Sequence, residues 1–330
     1  MRRFKVAVTD YVFPNLDPEQ ELLGAVEAEL VVGQCKSKEE ALALVRGVDA
    51  VLNTYYGPID GEVMDAMPDC RIIVRYGIGV DTIDIPAATA RGIMVANVPD
   101  YCIDEVADQA VSMLLALLRK LPVADRNIRR GEWALATLKP LQRINALTVG
   151  IIGMGRIGRA ITARLQSFGP RLLFADPYFR GEPPAGTTQV ALDELYASVD
   201  AVIVQAPASA ETRHLLDGAA FAAMTRKPVI VNCARGELID TPALIEALQA
   251  GTISGAGLDV IEGTPPLPAD SPLLQCDNVI LTPHSAWFSA EALQSLQRLA
   301  CLEVARALRD ERPKALLNPE ALERRHAGVQ

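Results

Sequence analysis

Short apolar runs separated by amphipathic stretches recur along the whole chain. In the first hundred residues the runs fall at 4–8, 30–32, 50–53, 72–75 and 93–96. Runs this short, rich in Val and Ile, predict strands. The stretches between them carry helix start signals. Asp17 reads as an N-cap, with Pro18 at the first helical position and Gln20 three residues on. Ser37 with Glu40 forms a capping box before a helix that stops at Gly47. Further helices are expected near 59–67 and 85–91. Strand and helix signals that alternate in this way predict a parallel, doubly wound α/β sheet.

A long helix is expected over about 102–120, with Val111, Leu114, Leu115 and Leu118 as its apolar stripe. A second helix near 122–131 and an irregular arm over 132–146 follow. From Leu147 to Asp176 the chain reads LTVGIIGMGRIGRAITARLQSFGPRLLFAD. An apolar run, 148–152, leads into Gly153, Gly155 and Gly158. Ile157, Ile161, Leu165 and Phe168 recur at helical spacing, Gly169 and Pro170 stop that helix, and 172–175 is apolar again. Strands are then predicted at 201–204, 229–232, 256–259 and 279–281, before a helix over about 289–309. The polar tail from Pro313 is expected to be mobile at its end. Arg235, Asp259 and His284 fall at strand C-termini, the edge where open parallel sheets bind ligands.

The central glycines have distinct physical uses. Gly153 permits a sharp turn out of the strand, Gly155 lets a pyrophosphate approach the backbone, and Gly158 lets the helix pack close. The free N–H groups at the helix start, with its dipole, favour phosphate there. Asp176, eighteen residues beyond Gly158, can accept hydrogen bonds from both hydroxyls of an adenosine ribose and would repel a 2′-phosphate. NAD is therefore expected over NADP. At this level a glycine-rich turn in an unrelated α/β protein, or a methyltransferase with another adenosine ligand, stays open.

Composition narrows the partners. The formal charge of −9 and the pI of about 5.0 give no electrostatic reason to bind nucleic acid or an acidic membrane surface. The longest apolar run, 110–118, is too short to span a bilayer, and the N-terminus has no signal-peptide core. Six cysteines without CxxC pairs read as reduced thiols of a cytoplasmic protein. With three histidines and no Cys/His cluster, no metal is expected.

The chain resembles the D-isomer-specific 2-hydroxyacid dehydrogenase family over about residues 45–312. The segments that carry the likeness are RYGIGVDTID (75–84), NVPDYCIDEVADQA (97–110), VGIIGMGRIGRA (149–160), VNCARGELID (231–240), GAGLDVIEGTPPL (255–267) and TPHSAWFS (282–289). RYGIGVD and TPHSAW resemble the branch containing the C-terminal binding proteins. The resemblance implies two doubly wound parallel-sheet domains with the active site in the cleft between them. One is a flavodoxin-like substrate domain of 1–99 plus 285–330; the other is a Rossmann NAD-binding domain of 100–284. It further implies hydride transfer between NADH and C2 of a 2-keto acid, and a homodimer built through the dinucleotide-binding domain. The apolar helix over 102–120 and the arm with Trp133, Leu135, Leu138 and Leu141 suit such an interface.

Residue by residue, Arg235 matches the family arginine, whose guanidinium can grip a carboxylate and polarise the adjacent carbonyl. His284 matches the histidine that gives or takes the alcohol proton. The cofactor set carried over is Ile78, Gly153, Met154, Gly155, Arg156, Ile157, Gly158, Asp176, Ala206, Pro207, Thr212, Cys233, Ala234, Arg235, Asp259 and His284, with Asp259 on the carboxamide. The substrate set is Arg75, Tyr76, Gly77, Ile78, Gly79, Arg235, His284 and Trp287, with the 75–79 backbone as an anion-binding nest. One position departs from the pattern. The family's glutamate should lie twenty-nine residues after Arg235, where this chain has Thr264, with Glu262 two residues earlier. Threonine supplies no charge to raise the imidazole pKa, so His284 is expected to titrate lower than in relatives that keep the acid. This departure leaves a second reading open, an NAD(H)-responsive dimeric binding or regulatory protein with weak or no turnover.

Overall fold

The computed structural model describes residues 3–263 and 266–327. The chain divides into two compact units, one made of residues up to 101 with those from 289 onward, the other of 102–288. In the first unit the order is β1 (Phe4–Val8), α1 (Asp17–Gly24), β2 (Ala28–Val32), α2 (Lys38–Leu44), β3 (Ala50–Asn53), α3 (Gly61–Asp65), β4 (Ile72–Arg75), α4 (Ile85–Ala90) and β5 (Met94–Ala96). These strands pair in parallel in the order β2-β1-β3-β4-β5. Val51, Ile73 and Val95 project from the sheet onto Val63, Met64 and Met67, all buried. Two helix starts show what the local chemistry selects. Ser37 caps α2, accepting from the Glu40 N–H at 3.3 Å. Asp17 does not cap α1: Leu16 holds that position, and the Asn15 Oδ1 accepts from the Asp17 N–H at 3.2 Å, which places Asp17 inside the helix.

The second unit runs α5 (Ile103–Leu118), α6 (Leu121–Arg129), β6 (Thr148–Ile152), α7 (Arg156–Gln166), β7 (Arg171–Ala175), β8 (Thr187–Gln189), α8 (Leu192–Ser198), β9 (Ala201–Val204), α9 (Gly218–Ala223), β10 (Val229–Asn232), α10 (Thr241–Gln249), β11 (Gly255–Leu258) and β12 (Val279–Leu281). Its seven strands pair in parallel in the order β12-β11-β10-β9-β6-β7-β8. The order reverses between β6 and β9, and that switch point opens a crevice at the strand C-termini. The polar edge strand β8 has no apolar run to announce it. Phe168, read as the last apolar position of this helix, lies beyond it, because α7 ends at Gln166, and is 42% exposed. The stripe of α5 is used inside the unit. Val111, Met113, Leu114 and Leu117 are buried, and bare Gly257 of β11 lies under Met113 and Leu117. Leu115 and Leu118 of the same stripe are half-buried.

The chain then returns to the first unit as α11 (Ala290–Leu308) and α12 (Glu320–Ala327). Helix α11 packs on α1 and β4. The tail is tied to β5 up to the start of α12, while its end, expected to be mobile, lies outside the described residues. The Leu317 N–H donates to Val95 O at 2.8 Å, and Asn318, 2% exposed, accepts from the Val95 N–H and donates to Ile93 O and Thr89 Oγ1. One buried amide thus satisfies the free edge of β5.

Candidate active site

The turn after β6 has the shape of a phosphate cradle. Gly153 has φ +97°, and a Cβ there would lie 2.6 Å from Gln205 O. A Cβ on Gly158 would lie 2.2 Å from Gly153 O, so the start of α7 lies directly against the turn. At Gly155 a Cβ would meet nothing within 4 Å, which leaves open space over the backbone. Gly155 is the N-cap of α7 and offers no side-chain cap, so the first N–H groups of the helix, from Arg156, Ile157 and Gly158, are available to an anion. Asp176, just past β7, orders this edge: its Oδ2 accepts from the Met154 N–H and its Oδ1 from the Tyr178 N–H, both at 2.9 Å. Each oxygen keeps a further lone pair. Across the switch point, Ala206 follows β9, and the Thr212 hydroxyl closes the next loop by donating to Pro207 O at 2.6 Å and accepting from the Ser209 N–H at 2.8 Å. Gln205 carries a buried Nε2 with no partner among the described residues. The glycine cradle, the acid on the neighbouring strand and this unpaired donor suit a dinucleotide.

Three adjacent strands carry the candidate reactive side chains. Arg235 follows β10, Asp259 follows β11 and His284 follows β12, and β10, β11 and β12 are neighbours in the sheet. The Arg235 loop is held by buried Asn232, whose Nδ2 donates to Arg235 O at 2.8 Å and whose Oδ1 accepts from the Ala234 N–H at 3.0 Å. Sequence reasoning passed over Asn232, although an amide ending an apolar strand was the available signal. Bare Gly236 lets the loop press on 261–262: a Cβ there would lie 2.3 Å from the Ile261 carbonyl. Cys233 is buried beside Met113, and burial pushes its thiol up, so it stays a neutral packing group.

Asp259 is 2% exposed, and its carboxylate is spent on the turn that carries His284. Oδ1 accepts from the Thr282 hydroxyl and from the Ser285 N–H at 2.9 Å; Oδ2 accepts from the Ala286 N–H at 3.0 Å. Within that turn the His284 N–H donates to Asp259 O and Thr282 O. His284 sits at φ +53°, left-handed for a residue with a Cβ, and its side chain is exposed. Trp287 follows in the same segment, its ring edge-on to Phe288 with centroids 5.5 Å apart.

Glu262 is not a loose acid near this turn. Its Oε1 accepts from Arg213 Nη2 at 2.6 Å and lies 2.8 Å from His214 Nε2, while His214 Nδ1 lies 3.8 Å from Asp240. That arrangement makes His214 a structural link between two loops. Thr264 lies outside the described residues.

The remaining substrate candidates belong to the first unit. After β4, the Tyr76 N–H donates to Asn53 O at 2.7 Å, Gly77 O accepts from the Val98 N–H at 3.0 Å, and Ile78 O accepts from Asn97 Nδ2 at 2.6 Å. With the carbonyls tied back, the N–H groups of Ile78 and Gly79 donate to no acceptor among the described residues. Gly77 has φ +142°, and a Cβ there would lie 1.4 Å from Arg75 Nη1, so the guanidinium rests on the bare glycine. The same guanidinium lies 5.9 Å from the centre of the Tyr55 ring. Two adjacent free amides beside a cation suit an anion.

Among the described residues no group of His, Cys, Asp or Glu side chains is placed to hold a metal ion, and no helix is long and apolar enough to cross a membrane.

The model of the D-isomer specific 2-hydroxyacid dehydrogenase NAD binding domain matches residues 111–286. A glyoxylate reductase of Thermofilum pendens is 38% identical over 337 residues, covering 98% of this chain and 96% of its own length. A D-3-phosphoglycerate dehydrogenase of Methanocaldococcus jannaschii is 35% identical over 317 residues, covering 95% of this chain and 59% of its own. Among solved structures, an NADPH-dependent glyoxylate/hydroxypyruvate reductase of Sinorhizobium meliloti, in complex with NADP and malonate, superposes with a TM-score of 0.84 at 33% identity. It covers 97% of this chain and 98% of its own.

Proposed function

This chain belongs to the D-isomer-specific 2-hydroxyacid dehydrogenase family, and from that we propose that it reduces a small 2-keto acid with NADH, or runs the reverse oxidation, with glyoxylate as the first candidate. The observation that carries the reading is the placement of Arg235, Asp259 and His284 on three adjacent strand ends of the sheet whose β6 turn forms the phosphate cradle.

NADH, when bound, would supply the hydride that reaches C2 of the substrate. The N–H groups of Ile78 and Gly79, beside Arg75, are the first unit's candidate for holding a substrate carboxylate. In the second unit, Arg235 offers a planar pair of donors that can grip a carboxylate and polarise the C2 carbonyl as negative charge develops on its oxygen. His284 delivers a proton to that oxygen, acting as general acid in reduction and general base in the reverse direction. Asp259 keeps His284 at its unusual backbone angle and is also our candidate for the carboxamide. Trp287 borders the substrate.

Asp176 favours NAD over NADP, because a 2′-phosphate would meet its carboxylate. The second unit also exposes Trp133 (90%) and Leu135 (72%) on the irregular arm, next to half-exposed Ile128. We place a homodimer contact there; sedimentation as a monomer at micromolar concentration would refute it. An acidic chain with free thiols suits the cytoplasm. The likeness to the C-terminal binding protein branch rests on RYGIGVD and TPHSAW alone. Relatives named as reductases and dehydrogenases favour turnover over the cofactor-sensing alternative.

Arg235→Lys tests the assignment. It keeps the charge and loses the fork, so kcat/KM for glyoxylate should fall at least a hundredfold while NADH still binds. Full turnover in that variant would remove Arg235 from the reaction.

A further inference from the structure

Tyr76 stands between Arg75 and Gly77, yet its side chain is 1% exposed. Its ring packs edge-on against Phe13 with centroids 4.9 Å apart, and its hydroxyl donates to Glu19 Oε1 at 2.8 Å. Glu19, on α1, is fully buried. Gln297 of α11 donates its Nε2 to both Glu19 oxygens, at 3.2 and 2.9 Å, and to Asn15 O at 3.0 Å. No cation pairs with Glu19 among the described residues, and burial pushes its carboxyl up. A buried carboxylate without a cation is an expensive way to pack a helix against a sheet, since an apolar side chain there would avoid the desolvation penalty. Its geometry has a different use. Every donor around it points at the acid, so the acid gathers α1, α11 and the residue that opens the 76–79 loop onto one point.

Apart from the Tyr76 side chain, the loop is held through its backbone, by the Tyr76 N–H on Asn53 O at 2.7 Å and the Gly77 N–H on Arg75 O at 2.9 Å. Gly77 and Gly79 give it two flexible positions, and its carbonyls are held by Asn97 and Val98 on one side only. We propose that Glu19 is a positioning residue for the substrate: through the Tyr76 hydroxyl it fixes the 76–79 backbone, so that the Ile78 and Gly79 amides stay converged on the substrate carboxylate. This inference rests on the reading of that loop as the carboxylate site. Glu19 touches no reacting atom. Its effect is confined to how well the nest is formed before substrate arrives, and therefore to KM.

The test is the steady-state kinetics of glyoxylate reduction in Tyr76→Phe and Glu19→Gln, with the NADH dissociation constant measured by fluorescence and folding checked by thermal melting. Tyr76→Phe keeps the ring on Phe13 and removes only the hydroxyl. It should raise KM about tenfold, with kcat at saturation and NADH affinity within twofold of the parent. Glu19→Gln can still accept from Tyr76 through its amide oxygen and should give a smaller rise. Adding it to Tyr76→Phe should raise KM no further than Tyr76→Phe alone. The proposal is overturned if Tyr76→Phe leaves KM unchanged, or if KM and kcat change only in step with lost folded protein. Gly77→Ala separates the two levels, since its new Cβ must displace the Arg75 guanidinium and distort the loop. If Gly77→Ala raises KM and Tyr76→Phe does not, the loop binds substrate but Glu19 does not position it. If neither raises KM, the carboxylate assignment of the loop fails as well.

Discussion

Asp259→Asn is the most informative single change, because it alters one atom in a fully engaged side chain. In the parent, Oδ1 accepts from the Thr282 hydroxyl and the Ser285 N–H, and Oδ2 from the Ala286 N–H. In the best orientation for asparagine, its oxygen keeps the first two partners and its NH2 group faces the Ala286 N–H, donor against donor. One charge-assisted bond, worth about 1.5–3 kcal/mol, is lost, and two others weaken to neutral bonds of about 0.5–1.5 kcal/mol. The sum is roughly 3.5–6 kcal/mol, part of which is offset because a buried charge no longer has to be desolvated. His284 itself sits at φ +53°, a conformation that costs a non-glycine residue about 1–2 kcal/mol. A turn released from Asp259 therefore has a reason to relax toward the right-handed region and carry the imidazole away. Urea unfolding should show a loss of about 2–4 kcal/mol, and kcat should fall between about tenfold and a thousandfold, at about 1.4 kcal/mol per factor of ten. If the variant keeps its stability within about 0.5 kcal/mol and its kcat within twofold, the carboxylate does not hold the histidine turn, and the reasoning fails.

Three further outcomes follow from the same geometry. Asp176→Arg should weaken NADH binding and shift preference toward NADPH, read from the two dissociation constants; an unchanged ratio would remove the ribose role. Thr264→Glu restores the acid that the family resemblance implies at this position and should favour the charged imidazole, moving the falling limb of the reduction pH profile to higher pH; a stationary limb would contradict that. Burial holds the Glu19 carboxyl above its ordinary value, with Tyr76, Asp17 and Cys301 as its titratable neighbours. Between about pH 4.3 and the raised value the native protein therefore binds a proton that the unfolded chain has released. The Glu19 contribution to stability should fall as pH rises through that window and stay level above it. Urea melts of Glu19→Gln against the parent should show this difference; parallel curves across the window would refute it.

Much of this molecule is legible in its residue pattern, because each central strand is a short apolar run buried on both faces. The turn at Gly153 and the strand ends at Arg235, Asp259 and His284 depend on local sequence, so they can be read in order. What escaped depends on partners far along the chain. Strand β8 is a polar edge with no pattern of its own. Asn318 looks like a tail residue until β5 needs a partner for its open edge. Glu262 looks like an exposed acid, yet Arg213 and His214 engage it from a loop nearly fifty residues earlier. The stripe on α5 marks burial at Val111 and Leu114, while Leu115 and Leu118 stay half-buried, because period alone does not say which surface covers each side of a helix. Glu19 and Tyr76, 57 residues apart, carry no signal of their contact. Each reads separately as a surface helix acid and a loop aromatic.

The central claim is that this chain reduces a 2-keto acid, and NADH oxidation tests it most directly. Glyoxylate, pyruvate, hydroxypyruvate and phenylpyruvate would each be titrated from about pH 5.5 to 8, the range in which an imidazole changes charge. The account predicts saturable turnover of about 1–100 per second on at least one small member, with glyoxylate or hydroxypyruvate foremost, declining as pH rises. Tight NADH binding with no turnover of any keto acid at any pH would contradict it and return the chain to the cofactor-sensing reading.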